Sequence, residues 1–225
     1  AYISNTEVIA KYEQDGISHL AVVDLESGDV DEIDTPYVGI SKVYSNGDKI
    51  YLLGSTTTSA SELVEYDDSD FITIKKSQDP IVEPEFISEP VAITFPNLKG
   101  EPTHAFYYPP NNPNYVAAED ELPPLIVRLH GGPTGATNPS FRANNQFWTS
   151  RGFAIVDINY GGSTGYGREY RERLRGQWGV VDIDDTKAAI DYLVDEGLAD
   201  RDKLLIRGGS AGGYSVLVAL SQHDI

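Results

Sequence analysis

The sequence contains no cysteine and no methionine. Without cysteine there is no disulfide framework and no thiolate to hold zinc or an iron–sulfur cluster. Positive charge is scarce: 17 Lys and Arg stand against 35 Asp and Glu, a net charge of −18. No basic stretch is available to meet phosphates, which argues against nucleic-acid binding. So acidic a balance favours solubility and repels anionic surfaces. No apolar run approaches the roughly 18 residues of a membrane span, and no signal-peptide pattern opens the chain. The expected partners therefore include neither nucleic acid nor membrane, and a cytoplasmic setting fits. The chain opens on Ala-Tyr-Ile, and we read Ala1 as internal to a longer protein, so a lost signal peptide stays open.

What is present is ordinary for a globular protein. Of the 225 residues 40% are apolar and 23% charged, enough for one large or two modest domains. The most informative stretch is Leu204-Leu205-Ile206-Arg207-Gly208-Gly209-Ser210-Ala211-Gly212-Gly213-Tyr214. An apolar run, a glycine-flanked serine and an apolar run from Val216 to Leu220 read as strand, sharp turn, helix. Gly208-x-Ser210-x-Gly212 fits the nucleophile elbow of α/β-hydrolases, although a plain tight turn has the same composition. In an elbow, side chains two residues either side of the serine would strike neighbouring backbone, so glycine is needed there. The turn lifts the Ser210 hydroxyl clear of the sheet and brings the Ala211 N–H beside an attacked carbonyl.

A second stretch, Pro124-Leu125-Ile126-Val127-Arg128-Leu129-His130-Gly131-Gly132-Pro133, is a strand running into a glycine pair. Such a loop supplies the other half of an oxyanion hole, with Gly132 N–H the expected donor. The His130 side chain is read as ordering the turn. A third stretch, Asn159-Tyr160-Gly161-Gly162-Ser163-Thr164-Gly165-Tyr166-Gly167, lacks the Lys-Ser/Thr ending of a P-loop and the spacing of a dinucleotide loop. It is read as a tight loop leaving the strand that ends at Ile158.

Residues 1–78 read as short strands: Glu7–Tyr12, His19–Leu25, Val30–Ile33, Ile40–Tyr44, Lys49–Leu53, Glu62–Tyr66 and Phe71–Lys75, with polar turns between them. Ser18-His19-Leu20-Ala21-Val22-Val23-Asp24 is echoed in Ser61-Glu62-Leu63-Val64-Glu65-Tyr66-Asp67, Ser18 falling on Ser61 at an offset of 43 residues. A period in the low forties with four strands per unit marks a β-propeller blade, the alternative being part of an all-β sandwich. Fewer than two blades fit, so the chain begins part-way through such a domain. Residues 77–90, rich in proline and acid, read as the crossing between domains.

From residue 79 onward strands are expected near Val91–Phe95, Thr103–Tyr108, Leu125–Leu129, Ala154–Ile158 and Leu204–Arg207. Helices are expected near Phe141–Ser150 and Asp184–Glu196, the latter with Ala189, Ile190, Leu193 and Val194 as its apolar stripe and Gly197 ending it. Strands alternating with helices argue a parallel sheet. Asp182, Asp184 and Asp185 are read as helix caps rather than a metal cluster. Arg168, Arg171, Arg173 and Arg175 are read as a solvated helix face paired to Glu169 and Glu172. Trp178 and Tyr214 are read as packing residues.

Taken in order, His130-Gly131-Gly132-Pro133, Asn159 to Arg168, Trp178-Gly179 with Asp182 and Asp185, and Gly208 to Tyr214 resemble the prolyl oligopeptidase family of serine peptidases, in its acylaminoacyl-peptidase and dipeptidyl-aminopeptidase branch. The resemblance covers roughly residues 88–225. It implies the N-terminal part of an α/β-hydrolase fold, preceded by the last blades of an all-β propeller. It also implies Ser210 as nucleophile, Gly132 and Ala211 as oxyanion donors, short peptides as substrates, and no metal or organic cofactor. An aspartate and a histidine further along would complete a triad.

There the sequence departs from the pattern. After Ser210 it runs only to Ile225, with His223 and Asp224 the sole candidates. A helix leaving the elbow would carry residue 223 about 20 Å from Ser210, at 1.5 Å of rise per residue, beyond the reach of a base. His19 and His104 precede the site. The chain is therefore read as holding the nucleophile and oxyanion hole without the acid and base. Two rivals remain at this stage: a carboxylesterase on the same fold, and a catalytically dead binding module.

Overall fold

The computed structural model describes residues 1–47, 49–67 and 69–222. Its contacts divide the chain into two compact units, one of Ala1–Ile81 with Asn138–Arg142, the other of Val82–Thr137 with the chain from Ala143 onward. Within the first unit, β1 (Glu7–Gln14), β2 (Ile17–Asp24) and β3 (Val30–Ile33) form a three-stranded antiparallel sheet. β4 (Gly39–Ser45), β5 (Ile50–Ser55), β6 (Glu62–Tyr66) and β7 (Phe71–Lys76) form a four-stranded one in sequential order. The 43-residue echo lays β1 on β5, β2 on β6 and β3 on β7.

The echo extends to the turns. Asp24 Oδ1 accepts the N–H groups of Glu26 (2.8 Å) and Ser27 (2.7 Å), and Asp67 Oδ1 accepts those of Ser69 (3.3 Å) and Asp70 (2.9 Å). In both places the backbone hydrogen bonds hold the carboxyl below its ordinary pKa. The β1–β2 connection is a two-residue hairpin turn, with Asp15 and Gly16 both at positive φ (52° and 74°), the twist that tight hairpins favour. Ile9, Leu20, Ile40, Ile50, Leu52 and Val64 build the core of this unit, together with the ring of Tyr37. The segment Asn138–Arg142 joins it through Ser140 Oγ, 2.7 Å from Ser55 Oγ, and through Phe141 N–H, which donates to Thr56 O at 2.8 Å.

The second unit is a five-stranded sheet flanked by helices. Its strands are β8 (Val91–Pro96), β9 (Pro102–Tyr108), β10 (Leu125–Leu129), β11 (Ala154–Asn159) and β12 (Leu204–Gly208), in the order β12-β10-β11-β9-β8. β10 pairs in parallel with both β11 and β12, but β9 is antiparallel to β11 and to β8. The sheet is thus mixed, not parallel throughout. The short turn at Asn97–Gly100 forces β8 and β9 into a hairpin, and β9 joins the sheet in the reversed direction.

The helices are α1 (Ala143–Thr149), α2 (Gly167–Glu172), α3 (Val181–Asp195) and α4 (Ala211–Gln222). α3 begins three residues earlier than its apolar stripe suggests, and Gly197 follows its end at a φ of +69°. Ala189, Ile190 and Leu193 of α3 pack on Leu125, Val127, Val156 and Ile158. The opposite sheet face, with Phe106, Tyr108, Ile126 and Ile155, packs on Trp148 and Phe153. β11 is buried at all six positions, as a central strand covered on both faces must be.

Leu193 is fully buried in this core. Leu193→Ala should therefore cost about 2–5 kcal/mol through lost burial and the cavity left behind. In urea or guanidinium the midpoint should fall with the slope of the transition unchanged.

Candidate active site

β12 ends at Gly208 and α4 begins at Ala211, so the reversal from strand to helix is made in two residues. Ser210 makes it at a φ of +53°, a left-handed conformation that costs a non-glycine residue on the order of 1–3 kcal/mol and clusters at functional sites. Gly212 N–H donates to Gly209 O at 3.0 Å, while Gly213 and Tyr214 donate to Ser210 O at 3.0 and 3.2 Å, starting the helix. A Cβ on Gly208 would collide with the Gly212 carbonyl, and one on Gly212 with the carbonyl oxygens of Leu129 and His130. Both glycines flanking the serine are therefore sterically required. Ser210 itself is exposed, and the following Ala211 is buried.

The loop after β10 lies directly against this turn. A Cβ built on Gly131 would sit 3.3 Å from Ser210 Cβ and 3.9 Å from its Oγ. Gly132 follows at a φ of +135°. Neither the Gly132 nor the Ala211 N–H is donated to an acceptor among the described residues.

The loop is braced from the neighbouring strand. The His130 ring stacks on Tyr160 with centroids 4.4 Å apart; its Nδ1 lies 2.8 Å from Gly131 O and its Nε2 2.8 Å from Ser163 Oγ. The Tyr160 hydroxyl donates to Pro133 O at 2.9 Å, and burial raises its pKa, with Asp182 adding to the shift. Asn159, fully buried, treats the backbone of Thr137 as a strand partner would: its Oδ1 accepts Thr137 N–H at 2.7 Å and its Nδ2 donates to Thr137 O at 3.0 Å. The Tyr170 hydroxyl donates to Asn159 O at 2.6 Å. The glycine loop from Asn159 to Gly167 is thus a brace for the loop beside Ser210. Its signal in the sequence was its composition, but its partners were not visible there.

Asp184 sits in the first turn of α3 as expected, but Asp182 and Asp185 do something other than cap the helix, and no side chain caps it at Val180. Asp182, fully buried, accepts Gly179 N–H at 2.7 Å and receives a short hydrogen bond from the Ser215 hydroxyl on α4. Asp185 accepts Gly161 N–H at 2.6 Å. Each clamps a loop or a second helix to α3. Of the arginines, Arg168, Arg171 and Arg175 are exposed, as expected of a solvated face, but Arg173 donates to Pro102 O at 2.8 Å and lies over the Tyr170 ring, its guanidinium carbon 4.5 Å from the ring centre. Trp178 and Tyr214 pack on each other, ring centres 4.6 Å apart, and both remain half exposed.

Of the histidines, His104 bonds Thr94 Oγ1 at 3.0 Å and stacks on Tyr166, His130 is engaged as above, and His19 stacks on Tyr12. None of the three hydrogen-bonds to Ser210. His223 and Asp224 lie outside the described residues.

Residues 139–225 match the prolyl oligopeptidase family. Dipeptidyl peptidase family member 6 of Caenorhabditis elegans is 37% identical over 97 residues, 43% of this chain and 13% of that protein. The crystal structure of a puromycin hydrolase superposes with a TM-score of 0.92 at 38% identity, covering 100% of this chain and 34% of the other. An acylaminoacyl peptidase in complex with a Z-Gly-Gly-Phe-chloromethyl ketone gives a TM-score of 0.78 at 27% identity, covering 98% and 34%. The likeness to the prolyl oligopeptidase peptidases, read first from the motifs, is thereby shown. The chain spans about a third of these solved structures and a smaller share of the curated relative.

Burial raises the pKa of Asp185, against the lowering effects of Gly161 N–H, the Asn97 and Thr103 side chains and Arg173. A folded-state pKa above the unfolded value means the protonated acid is favoured in the fold. The resulting stability is complete below the ordinary aspartate value of 3.8 and is lost as pH rises through the raised value. Asp185→Asn keeps an oxygen for Gly161 N–H and removes the buried charge. It should match or exceed the parent's stability at pH 7 and flatten its dependence on pH in the acid range. Asp185→Leu should cost about 1–3 kcal/mol, because the Gly161 N–H loses its acceptor. Urea unfolding of the three proteins at pH 4 and pH 7 checks this.

Proposed function

We propose that this chain is the part of a serine-type peptidase that carries the nucleophile and the oxyanion hole, on the N-terminal portion of an α/β-hydrolase domain. Its first unit is read as the last blades of a β-propeller, on the strength of the 43-residue echo and the two antiparallel sheets that follow it. Ser210 Oγ attacks a peptide carbonyl carbon, and the carbonyl oxygen takes up the negative charge between the N–H groups of Gly132 and Ala211. The amine leaves, and water then releases the acyl group from Ser210. The chemistry needs no metal or organic cofactor. The general base and the acid that orients it are assigned to residues other than His19, His104 and His130.

One observation carries this reading. A serine is held at a φ of +53° between a strand and a helix, with Gly131 packed against its Cβ. A plain tight turn has no reason to place a strained, exposed hydroxyl beside a second glycine loop whose N–H is unspent. The matching family and the peptidase names of the relatives support hydrolysis of peptides. Names built on dipeptidyl and acylaminoacyl groups support short substrates attacked near a chain end.

In the full-length protein a fluorophosphonate probe should label Ser210, and Ser210→Ala should abolish labelling with an unchanged circular dichroism spectrum. Labelling that survives the substitution moves the nucleophile elsewhere. The same protein should cleave a tripeptide derivative while leaving native serum albumin intact. Comparable rates on both, followed by mass spectrometry, would refute the preference for short substrates.

A further inference from the structure

The His130 side chain hydrogen-bonds to the carbonyl of the Gly131–Gly132 peptide, the same peptide unit whose N–H is the proposed oxyanion donor. Nδ1 lies 2.8 Å from Gly131 O. A carbonyl oxygen only accepts, so Nδ1 must carry a proton and donate it. Nε2, at the other side of the ring, meets the Ser163 hydroxyl at 2.8 Å. The Ser163 hydroxyl donates to Tyr160 O at 2.8 Å, so toward Nε2 it accepts; both ring nitrogens then donate, and the ring is held as an imidazolium between Gly131 O and Ser163 Oγ. The ring plane is fixed as well, stacked on Tyr160 at 14°.

We propose that His130 is a positioning residue for the oxyanion hole, acting through the Gly131–Gly132 peptide. This rests on the reading of Gly132 as oxyanion donor. A hydrogen bond accepted by an amide carbonyl polarises the whole amide and strengthens the donor power of its N–H, an effect of about 10–30% per bond. The same bond fixes the rotation of that peptide plane, and so the direction in which Gly132 N–H points. The surroundings are built to permit it. A Cβ on Gly135 would come 2.6 Å from Gly131 O and 3.6 Å from Nδ1, so only glycine there leaves room for the contact. Ser163 is fully buried, and its hydroxyl lies 2.8 Å from Tyr160 O, which fixes the partner of Nε2 from the strand side. The arrangement acts on charge that develops in the transition state and not on the substrate's ground state.

The test compares two replacements that both branch at Cγ, one polar and one apolar, in the full-length protein. His130→Asn offers an N–H to Gly131 O, and His130→Leu does not. Removing an oxyanion donor outright costs about 10²–10³ in kcat, and here the donor remains but is weakened and less well aimed. His130→Leu should lower kcat on the order of tenfold with KM within about twofold, while His130→Asn stays within about threefold of the parent. Equal losses in the two variants, or a loss confined to KM, would overturn the proposal and reduce His130 to loop packing. Nitrogen-15 spectra of histidine-labelled parent protein give an answer independent of any variant's folding. Nδ1 of His130, identified by its disappearance in the Asn variant, should be protonated, and a bare Nδ1 refutes the assignment. Ser210→Ala is assayed alongside. Turnover that survives in it removes the underlying reading, and this inference with it. Turnover lost in Ser210→Ala but equal in the Asn and Leu variants removes this inference alone.

Discussion

The tightest constraint in the second unit is the approach of Gly212 to the carbonyl oxygens of Leu129 and His130. No side chain fits between them, so the first turn of α4 lies directly against the end of β10. That contact puts the turn at Ser210 and the loop from His130 to Pro133 side by side, although they come from different strands. The parallel register of β10 with β12, Leu129 opposite Gly208, brings the two strand ends level. The strain at Ser210 is borne by the core beneath, where β10 and β11 pack on α3.

Around that contact the buried acids meet backbone N–H, hydroxyl or guanidinium groups. The chain carries 35 acids, and a few of them are inside. Asp182 spans from the loop before α3 to Ser215 on α4, and Asp185 from α3 to the glycine loop. Asp157, in the middle of β11, faces Arg128 on the neighbouring strand at 3.4 Å. A buried carboxylate without such partners would neutralise or unfold its surroundings. These acids therefore work as clamps between elements distant in sequence, and Asp185, through Gly161, holds the glycine loop that braces the loop beside Ser210.

The first unit obeys simpler rules. Its strands are short, its turns are written in Asp, Gly and Asn, and its repeat recurs down to the aspartate that folds the turn after β2 and again after β6. Local chemistry suffices there, because an antiparallel hairpin needs only its own turn and the strand next to it.

That difference separates what the sequence determined from what the tertiary structure decided. The strands of both units, the end of α3 at Gly197, the glycines around Ser210 and the repeat in the first unit were all legible, since each follows from periodicity or from backbone sterics within a few residues. The order β12-β10-β11-β9-β8, the reversed direction of β9, and the grouping of Asn138–Arg142 with the first unit were not. Nor were the partners of Asp182, Asp185, Asn159 and the ring of His130. Ser215, Gly161, Thr137 and Ser163, the far partners, lie 22 to 33 residues away in the chain. A helix start and a nearby acid look alike whether the acid caps its own helix or reaches to another element. Only the folded chain brings the second group within hydrogen-bond distance and decides between them.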